Sequence, residues 1–394
     1  MSRIFSGLTR NTYLLALASL FADISTEMLY PVLPVFLTER LGAPATILGL
    51  IEGVAQAVQN IVQGFSGWLA DHLGRRKPVA LAGYLLAACS KPFIGLSTHW
   101  SGALTARSLD RLGAGSRSAP RDALVAASVA ERDRGRAFGL EGIGDNLGAF
   151  LGPLITLGLI GSMAVDIKAI FLLAFIPGIL AAIMVLFVRE RPVAARSKVH
   201  MDGGVHSFPR AYWTYLGVML LFGLGNSSNA FLILRARDLG LSLTATILVY
   251  AFFNLVAAVA SYPSGYLSDR VGRKWVLVAA LLVFTLVYAG FGFAQNPALI
   301  GALFVLYGLY QGIFRTVGKA LATDFLPSEL RASGIGWYST AIGLSGLAAS
   351  LIAGALWTRA GPAAPFIYGA LLAGLGTLAL VWLVPNRRTR ASSP

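Results

Sequence analysis

Gly67-Trp68-Leu69-Ala70-Asp71-His72-Leu73-Gly74-Arg75-Arg76-Lys77 returns as Gly265-Tyr266-Leu267-Ser268-Asp269-Arg270-Val271-Gly272-Arg273-Lys274, 198 positions later in a chain of 394 residues. An offset of half the chain marks an internal duplication. Each copy interrupts strongly apolar sequence with a tight glycine-containing turn that carries one acid and a cluster of bases. That composition suits a short loop joining two membrane helices on the cytoplasmic side.

The rest of the chain fits the same solvent. It is 56% hydrophobic and 13% charged, with a mean hydropathy of +0.69, where a soluble domain carries about 25% charged residues. Twelve apolar spans of bilayer length can be drawn, at roughly 12–37, 45–69, 78–97, 101–122, 137–160, 166–188, 212–234, 242–264, 275–294, 297–320, 333–357 and 363–384. The expected fold is therefore all-α and polytopic, with two pseudo-symmetric six-helix bundles. Residues 1–188 are expected to form the first bundle, 189–211 a cytoplasmic linker, and 212–394 the second bundle with a short basic tail. Most of the 32 Lys and Arg fall in loops on the side that holds both termini, which places both ends in the cytoplasm of a multi-pass inner-membrane protein. The net charge of +14 arises from these loops and does not point to nucleic acid. No cleavable leader is evident before the first span.

Polar residues inside the spans carry the functional signal. Arg107, Asp110, Arg111, Arg117, Arg121 and Asp122 all lie in or at the end of span 4. At about 100° per residue they fall near 0, 300, 40, 280, 320 and 60°, one arc of roughly 140°. A charge facing lipid at mid-bilayer costs at least about 2.5–3.5 kcal/mol, so this arc must line a cavity or meet neighbouring helices. The deeper pair, Arg107 and Arg111, is read as functional. Arg117 and Arg121 are read as pairing with Asp71 and the repeated loop at the cytoplasmic end.

Span 1 places Asp23 and Glu27 one helical turn apart near its middle, the best proton-carrying site in the chain, whether or not they also satisfy the arginines of span 4. Glu52, Gln56, Gln59 and Gln63 form a seam on span 2, with Tyr250 and Asn254 at the positions equivalent to Glu52 and Gln56 in the second half. Asp145 and Asn146 on span 5, Asn226-Ser227-Ser228-Asn229 on span 7, and Tyr310, Gln311, Arg315 and Lys319 on span 10 complete the polar set. Each seam is either a solute pathway or interhelical glue. Arg315 and Lys319 repeat Arg117 and Arg121 at the same offset, so two basic pairs flank the pseudo-twofold axis and suit either an anionic ligand or loop anchoring. On span 5, Gly144, Gly148 and Gly152 form a groove for a close helix neighbour, and Pro153 bends the helix.

The repeated loop resembles that between helices 2 and 3, and again 8 and 9, of the major facilitator superfamily of secondary transporters. Ala106–Gly115 is similar to that family's fourth-helix motif, in which the arginine matching Arg107 is associated with proton coupling; here Asp110 and Arg111 stand where Gln-Gly is usual. Gly148-x-x-x-Gly152-Pro153 is similar to the antiporter motif, without the paired glycines that usually follow. The string Asp110–Leu124 resembles a prokaryotic branch of the family. The resemblance implies alternating access with a cytoplasmic gate formed by Gly67, Asp71, Gly74, Arg75, Arg117, Arg121, Asp269, Arg273 and Lys319. The function expected is proton-coupled export of a small organic compound. Proton-coupled uptake of an anionic metabolite is the alternative, and a non-transporting receptor or lipid-handling scaffold is a reading of another class. The expected partners are a small-molecule substrate, protons and the lipid bilayer, with a monomeric chain.

Enzyme signatures are missing from the sequence. His72, His99, His200 and His206 lie far apart and the single cysteine is Cys89, so no metal-ligand spacing arises. The basic loops lack the glycine spacing and Ser/Thr of a nucleotide site. No cofactor and no catalytic residue are expected.

Overall fold

The computed structural model describes residues 8–73, 75–130, 134–190, 208–326 and 331–386. Every regular element among them is helical. They are α1 (Arg10–Glu27), α2 (Leu33–Val35) continued by a π-turn (Phe36–Arg40), α3 (Ala45–Leu73), α4 (Arg76–Leu96), α5 (Trp100–Ala127), α6 (Arg134–Met163), α7 (Ile167–Leu173) and α8 (Phe175–Leu186). The second half supplies α9 (Arg210–Gly223), α10 (Ala230–Asp238), α11 (Leu243–Val271), α12 (Arg273–Phe293), α13 (Pro297–Asp324), α14 (Arg331–Ala360) and α15 (Ala364–Leu383). Most of the linker expected at 189–211 lies outside the described residues.

These helices follow twelve paths, six in each half, with three of the paths interrupted. Span 1 does not run unbroken from 12 to 37: α1 stops at Glu27 and a turn intervenes before α2. Pro31 and Pro34 remove amide donors and clash with carbonyls one turn back, so a regular helix cannot pass through. Span 7 breaks at the equivalent place, between Gly223 and Ala230, where Gly225 is followed by four polar residues that compete for the backbone. Span 6 is interrupted at Ala174, four residues before the first turn of α8 that contains Pro177 is complete. Nine helical stretches among the described residues are long and apolar enough to cross a bilayer. The remaining three paths are broken span 1, broken span 7 and α5, which carries too many charges.

Helix starts are fixed locally. The Thr9 hydroxyl and Thr12 form a reciprocal cap on α1, Asp166 accepts from the Lys168 amide at 2.8 Å, and Asn296 accepts from the Ala298 amide at 2.9 Å ahead of Pro297.

The chain divides into two compact units. One comprises residues 1–43, 54–199 and 243–251; the other comprises 44–53, 200–242 and 252–394. Packing repeats between them. In the first unit α1 packs on α6 and α8, and α4 on α5 and α8; in the second, α9 packs on α14 and α15, and α12 on α13 and α15. Each unit thus shows the same neighbour pattern, as a duplicated sequence requires. Two close approaches set the first unit. A Cβ on Gly113 would lie 2.6 Å from the Gly83 carbonyl oxygen, which brings α4 against α5. Cβ atoms on Gly148 and Gly152 would lie 2.9 and 2.8 Å from the Cβ atoms of Asp23 and Glu27. The glycine groove of α6 therefore seats the acid-bearing turns of α1, where any larger residue would push the helices apart.

Candidate functional site

The charged arc of α5 divides into two clusters, both in the first unit. The mean angles of the two arginine pairs differ by about 80° on a helix of 100° per residue, so the pairs face different neighbours.

The deeper cluster is centred on Asp110. Its Oδ1 accepts from Lys91 Nζ of α4 at 3.0 Å, and its Oδ2 accepts from Arg107 Nη1 at 3.1 Å and Arg111 Nε at 3.0 Å. Side-chain exposures of Lys91, Asp110, Arg107 and Arg111 are 3%, 1%, 2% and 11%. Lys91 also donates to the Ala87 carbonyl at 3.2 Å, and Arg111 Nη1 donates to Gln59 Oε1 of α3 at 3.2 Å. Beside this cluster the Arg107 guanidinium lies 5.7 Å from the centre of the Tyr30 ring. Tyr30 stacks on Tyr250 with centroids 5.4 Å apart, and the Tyr250 hydroxyl donates to Glu27 Oε2 at 2.9 Å. The helix break after Glu27 is what frees Tyr30 to reach this place.

The second cluster joins α5 to α1, α4 and α6. Arg117 Nη2 lies 3.8 Å from Asp23 Oδ1, with its guanidinium 4.6 Å from the centre of the Tyr84 ring. Arg121 Nη1 lies 2.9 Å from Glu141 Oε1 and 3.5 Å from Asp145 Oδ1. Ser19 closes the ring, accepting from Arg121 at 2.9 Å and donating to Glu141 at 2.8 Å. Arg121 also holds Asp122 at 3.0 Å.

This arrangement adds partners that the sequence reading did not name. Arg117 and Arg121, grouped above with the loop gate, face the acids of α1 and α6, because their side of the helix turns away from Arg107 and Arg111. The guanidinium beside Asp23 is that of Arg117. Sequence reasoning also missed Lys91, Glu141 and Tyr84. Glu141 could have been found, since it precedes Asp145 by one helical turn; Lys91 stands alone in an apolar span, with its partner 19 positions away on another helix.

In the second unit the equivalent break carries neutral polar residues and meets one acid, Glu52. Asn226 Nδ2 donates to the Tyr310 hydroxyl at 3.1 Å, Tyr307 donates to Asn229 Oδ1 at 2.8 Å, and Ser228 Oγ donates to Glu52 Oε2 at 3.2 Å. Polar side chains thus cover the open turn. Gln56, Asn146, Arg315 and Lys319 are exposed, whereas Gln311 and Asn254 are half-buried, and Gly144, Gly148, Gly152 and Pro153 are buried.

At the loop-bearing ends the repeated bases serve helix termini. Arg76 Nη1 donates to the Ala123 carbonyl at 3.5 Å, and Arg273 Nη1 to the Ala320 carbonyl at 3.1 Å and to Asp324. Lys77 Nζ reaches the Leu186 carbonyl at 2.7 Å, and Lys274 Nζ reaches those of Val381 and Val384 at 2.9 and 2.7 Å. Cations at carbonyl ends of helices are favoured by unsatisfied oxygens and by the helix dipole. The residue equivalent to Arg273 is therefore Arg76, since the extra residue in the first loop shifts the register by one. Arg75 is exposed. The Glu190 carboxylate completes the first copy, accepting from the Arg76 and Lys77 amides at 2.6 and 3.0 Å. Gly74 and the side chains of Gly67, Asp71 and Asp269, also expected at the gate, lie outside the described residues.

With duplicated packing, broken first helices and charges buried in spanning segments, the molecule has the form of a polytopic transporter. A sequence profile described as Major Facilitator Superfamily matches residues 15–232 and 214–394, and the chain belongs to that family. It is 34% identical over 382 residues to an uncharacterised MFS-type transporter of Methanocaldococcus jannaschii, covering 95% of each chain. It is 23% identical over 408 residues to the multidrug resistance protein MdtH of Salmonella arizonae, covering 99% of this chain and 97% of the relative. The fold is similar to that of the nucleoside transporter NupG, with a TM-score of 0.79 and 13% identity over 94% of this chain and 99% of the other.

Proposed function

We propose that this chain is a proton-coupled secondary transporter of small organic solutes, working by alternating access in the inner membrane with both termini cytoplasmic. The observation that carries the reading is the second cluster, where Asp23, Glu141 and Asp145 converge on Arg117 and Arg121. With the half-exposed Asp122 left aside, three carboxylates against two guanidiniums leave one negative charge inside spanning helices, and a proton removes it. Tying α1, α5 and α6 together, the cluster converts a protonation event into a change in helix contacts. The breaks after Glu27 and Gly223 provide the hinges.

Export by antiport is supported by the α6 glycine groove and by the name of the Salmonella relative. Uptake is the second reading, favoured by the three bases that surround Asp110. The test is transport of a reporter solute in proteoliposomes under an imposed pH gradient of either sign. Asp23→Asn and Glu141→Gln should abolish gradient-driven movement while solute exchange without a gradient persists. Gradient-driven transport at the wild-type rate in both variants would remove the cluster as the proton carrier.

A further inference from the structure

The second cluster divides into a tight half and a loose half. In the tight half the Arg121 donors are engaged: Nε and Nη2 reach Asp122 Oδ1 at 3.1 and 3.0 Å, and Nη1 reaches the Ser19 hydroxyl and Glu141 Oε1, both at 2.9 Å. Glu141 also accepts from Ser19, and 8% of its side chain is accessible. In the loose half Arg117 stands 3.8 Å from Asp23, and Arg121 stands 3.5 Å from Asp145. Neither of these two carboxylates accepts a hydrogen bond among the described residues, and Asp145 Oδ1 is buried without one. Their side chains keep 28% and 34% of their surface accessible. A carboxylate accessible along a spanning helix faces water and not lipid.

The two loose acids meet across the α1–α6 seam. A Cβ on Gly148 would lie 2.9 Å from the Asp23 Cβ, and Asp145 precedes Gly148 by less than one helical turn. Of the charges acting on Asp23, that of Asp145 is the strongest, ahead of Arg117, Glu27 and Arg121. Glu27 follows one turn along α1 and Glu141 precedes one turn along α6, while α8, which also packs on α1, carries no ionisable side chain. From α4 the facing group is Tyr84, 1% exposed beneath the Arg117 guanidinium. Its hydroxyl is buried and makes no hydrogen bond, and Asp145 is among the charges that act on it. The loose half thus holds an acceptor and a donor that no protein group satisfies.

We infer that the proton is exchanged at the Asp23–Asp145 carboxyl pair, while Glu141 stays ionised as the fixed counter-ion of Arg121. Two carboxylates sharing a site repel when both are ionised, and one proton between them turns the repulsion into a hydrogen bond. The proton comes from water at the accessible edge, forms one O–H bond, and returns to water when the pair opens to the other side; no other bond changes. Because α1 and α6 each supply one acid, occupancy of the pair sets how tightly the glycine seam closes. The inference rests on the proton-coupled reading and locates the proton within it.

The experiment is infrared difference spectroscopy of the full chain in liposomes between about pH 6 and pH 9, a range in which exposed carboxylates stay ionised. The C=O band of the protonated carboxyl is followed in protein isotope-labelled at the side-chain carboxyl carbon of aspartate alone or of glutamate alone. The band lost at high pH should move with the aspartate label, stay in place with the glutamate label, and vanish in both Asp23→Asn and Asp145→Asn. A band that moves with the glutamate label alone, an aspartate band that survives in either variant, or no acid band in this range would overturn the pair. The labelling is done on the wild-type chain, so its outcome stands even where a variant folds poorly. Loss of coupling by itself does not locate the proton: with Asp122 aside, Asp23→Asn, Asp145→Asn and Glu141→Gln each leave two acids against two guanidiniums, and all three should uncouple. Uncoupled variants with a glutamate band would therefore reject the pair and leave the transporter reading standing, whereas wild-type coupling in Asp23→Asn and Glu141→Gln would reject that reading itself.

Discussion

Asp110→Asn exposes the energetics of the deeper cluster most directly. The substitution preserves shape but removes the carboxylate that Lys91, Arg107 and Arg111 approach at 2.9–3.1 Å. Breaking one buried ion pair by deleting a partner costs about 3–5 kcal/mol, because the remaining charge is left buried and uncompensated. The amide oxygen still accepts a hydrogen bond, which recovers about 1 kcal/mol. A net loss of about 3 kcal/mol is expected, a large fraction of the few kcal/mol by which folded proteins are stable. Adding Lys91→Met to Asp110→Asn removes a cation that, among the described residues, pairs with no carboxylate but Asp110, and should return about half of that loss. The assay is chemical or thermal unfolding of the purified protein in micelles, comparing wild type, Asp110→Asn, Lys91→Met and the double variant. A loss below about 1 kcal/mol in Asp110→Asn, against the buried-pair scale, would refute the reasoning. So would a double variant no more stable than the single one.

Two other perturbations test the scaffold. Gly148→Ala places a methyl group 2.6 Å from the Leu20 carbonyl oxygen and should cost about 1–3 kcal/mol by overpacking; Gly142→Ala on the same helix meets nothing within 4 Å and should be neutral or slightly stabilising. Equal stability of the two variants in thermal unfolding would show that the α1–α6 seam is not tight. Glu190→Ala removes the acceptor for the first amides of α4 and should cost about 0.5–2 kcal/mol, the usual value of an N-terminal cap; amide exchange faster than wild type in the first turn of α4 is the confirming sign, and unchanged exchange would discount the cap.

The spans were legible because apolar length in a bilayer leaves few alternatives, and helix boundaries such as Ala45, Arg76, Pro297 and Leu383 fall within a few residues of those expected. The helix breaks were harder to place. Pro31 and Pro34 mark the first, but a count of apolar residues runs straight across them, and the second depends on Asn226–Asn229 finding tyrosine partners on α13. Within the site, helical periodicity showed that the α5 charges share an arc. It could not divide that arc between neighbours, since the direction of Arg117 and Arg121 depends on where α1, α4 and α6 pack. Lys91 carries no periodic signal at all, and its meaning exists only once α4 and α5 meet at Gly83 and Gly113.

The charge content of α5 also bears on how the chain is made. Its segment from Trp100 to Ala127 holds four arginines and two aspartates, and each such residue near a helix centre disfavours membrane entry by about 2.5–3.5 kcal/mol. Released alone from the insertion machinery, this helix would favour water. Its counterions arrive at different times: Asp23 and Lys91 are synthesised before it, Glu141 and Asp145 after it. Stable insertion of α5 must therefore wait for α6, with α4 and α1 retained nearby. Biogenesis of the first half is thus a joint event, and a chain truncated between α5 and α6 should leave α5 outside the membrane even though every earlier span has been made.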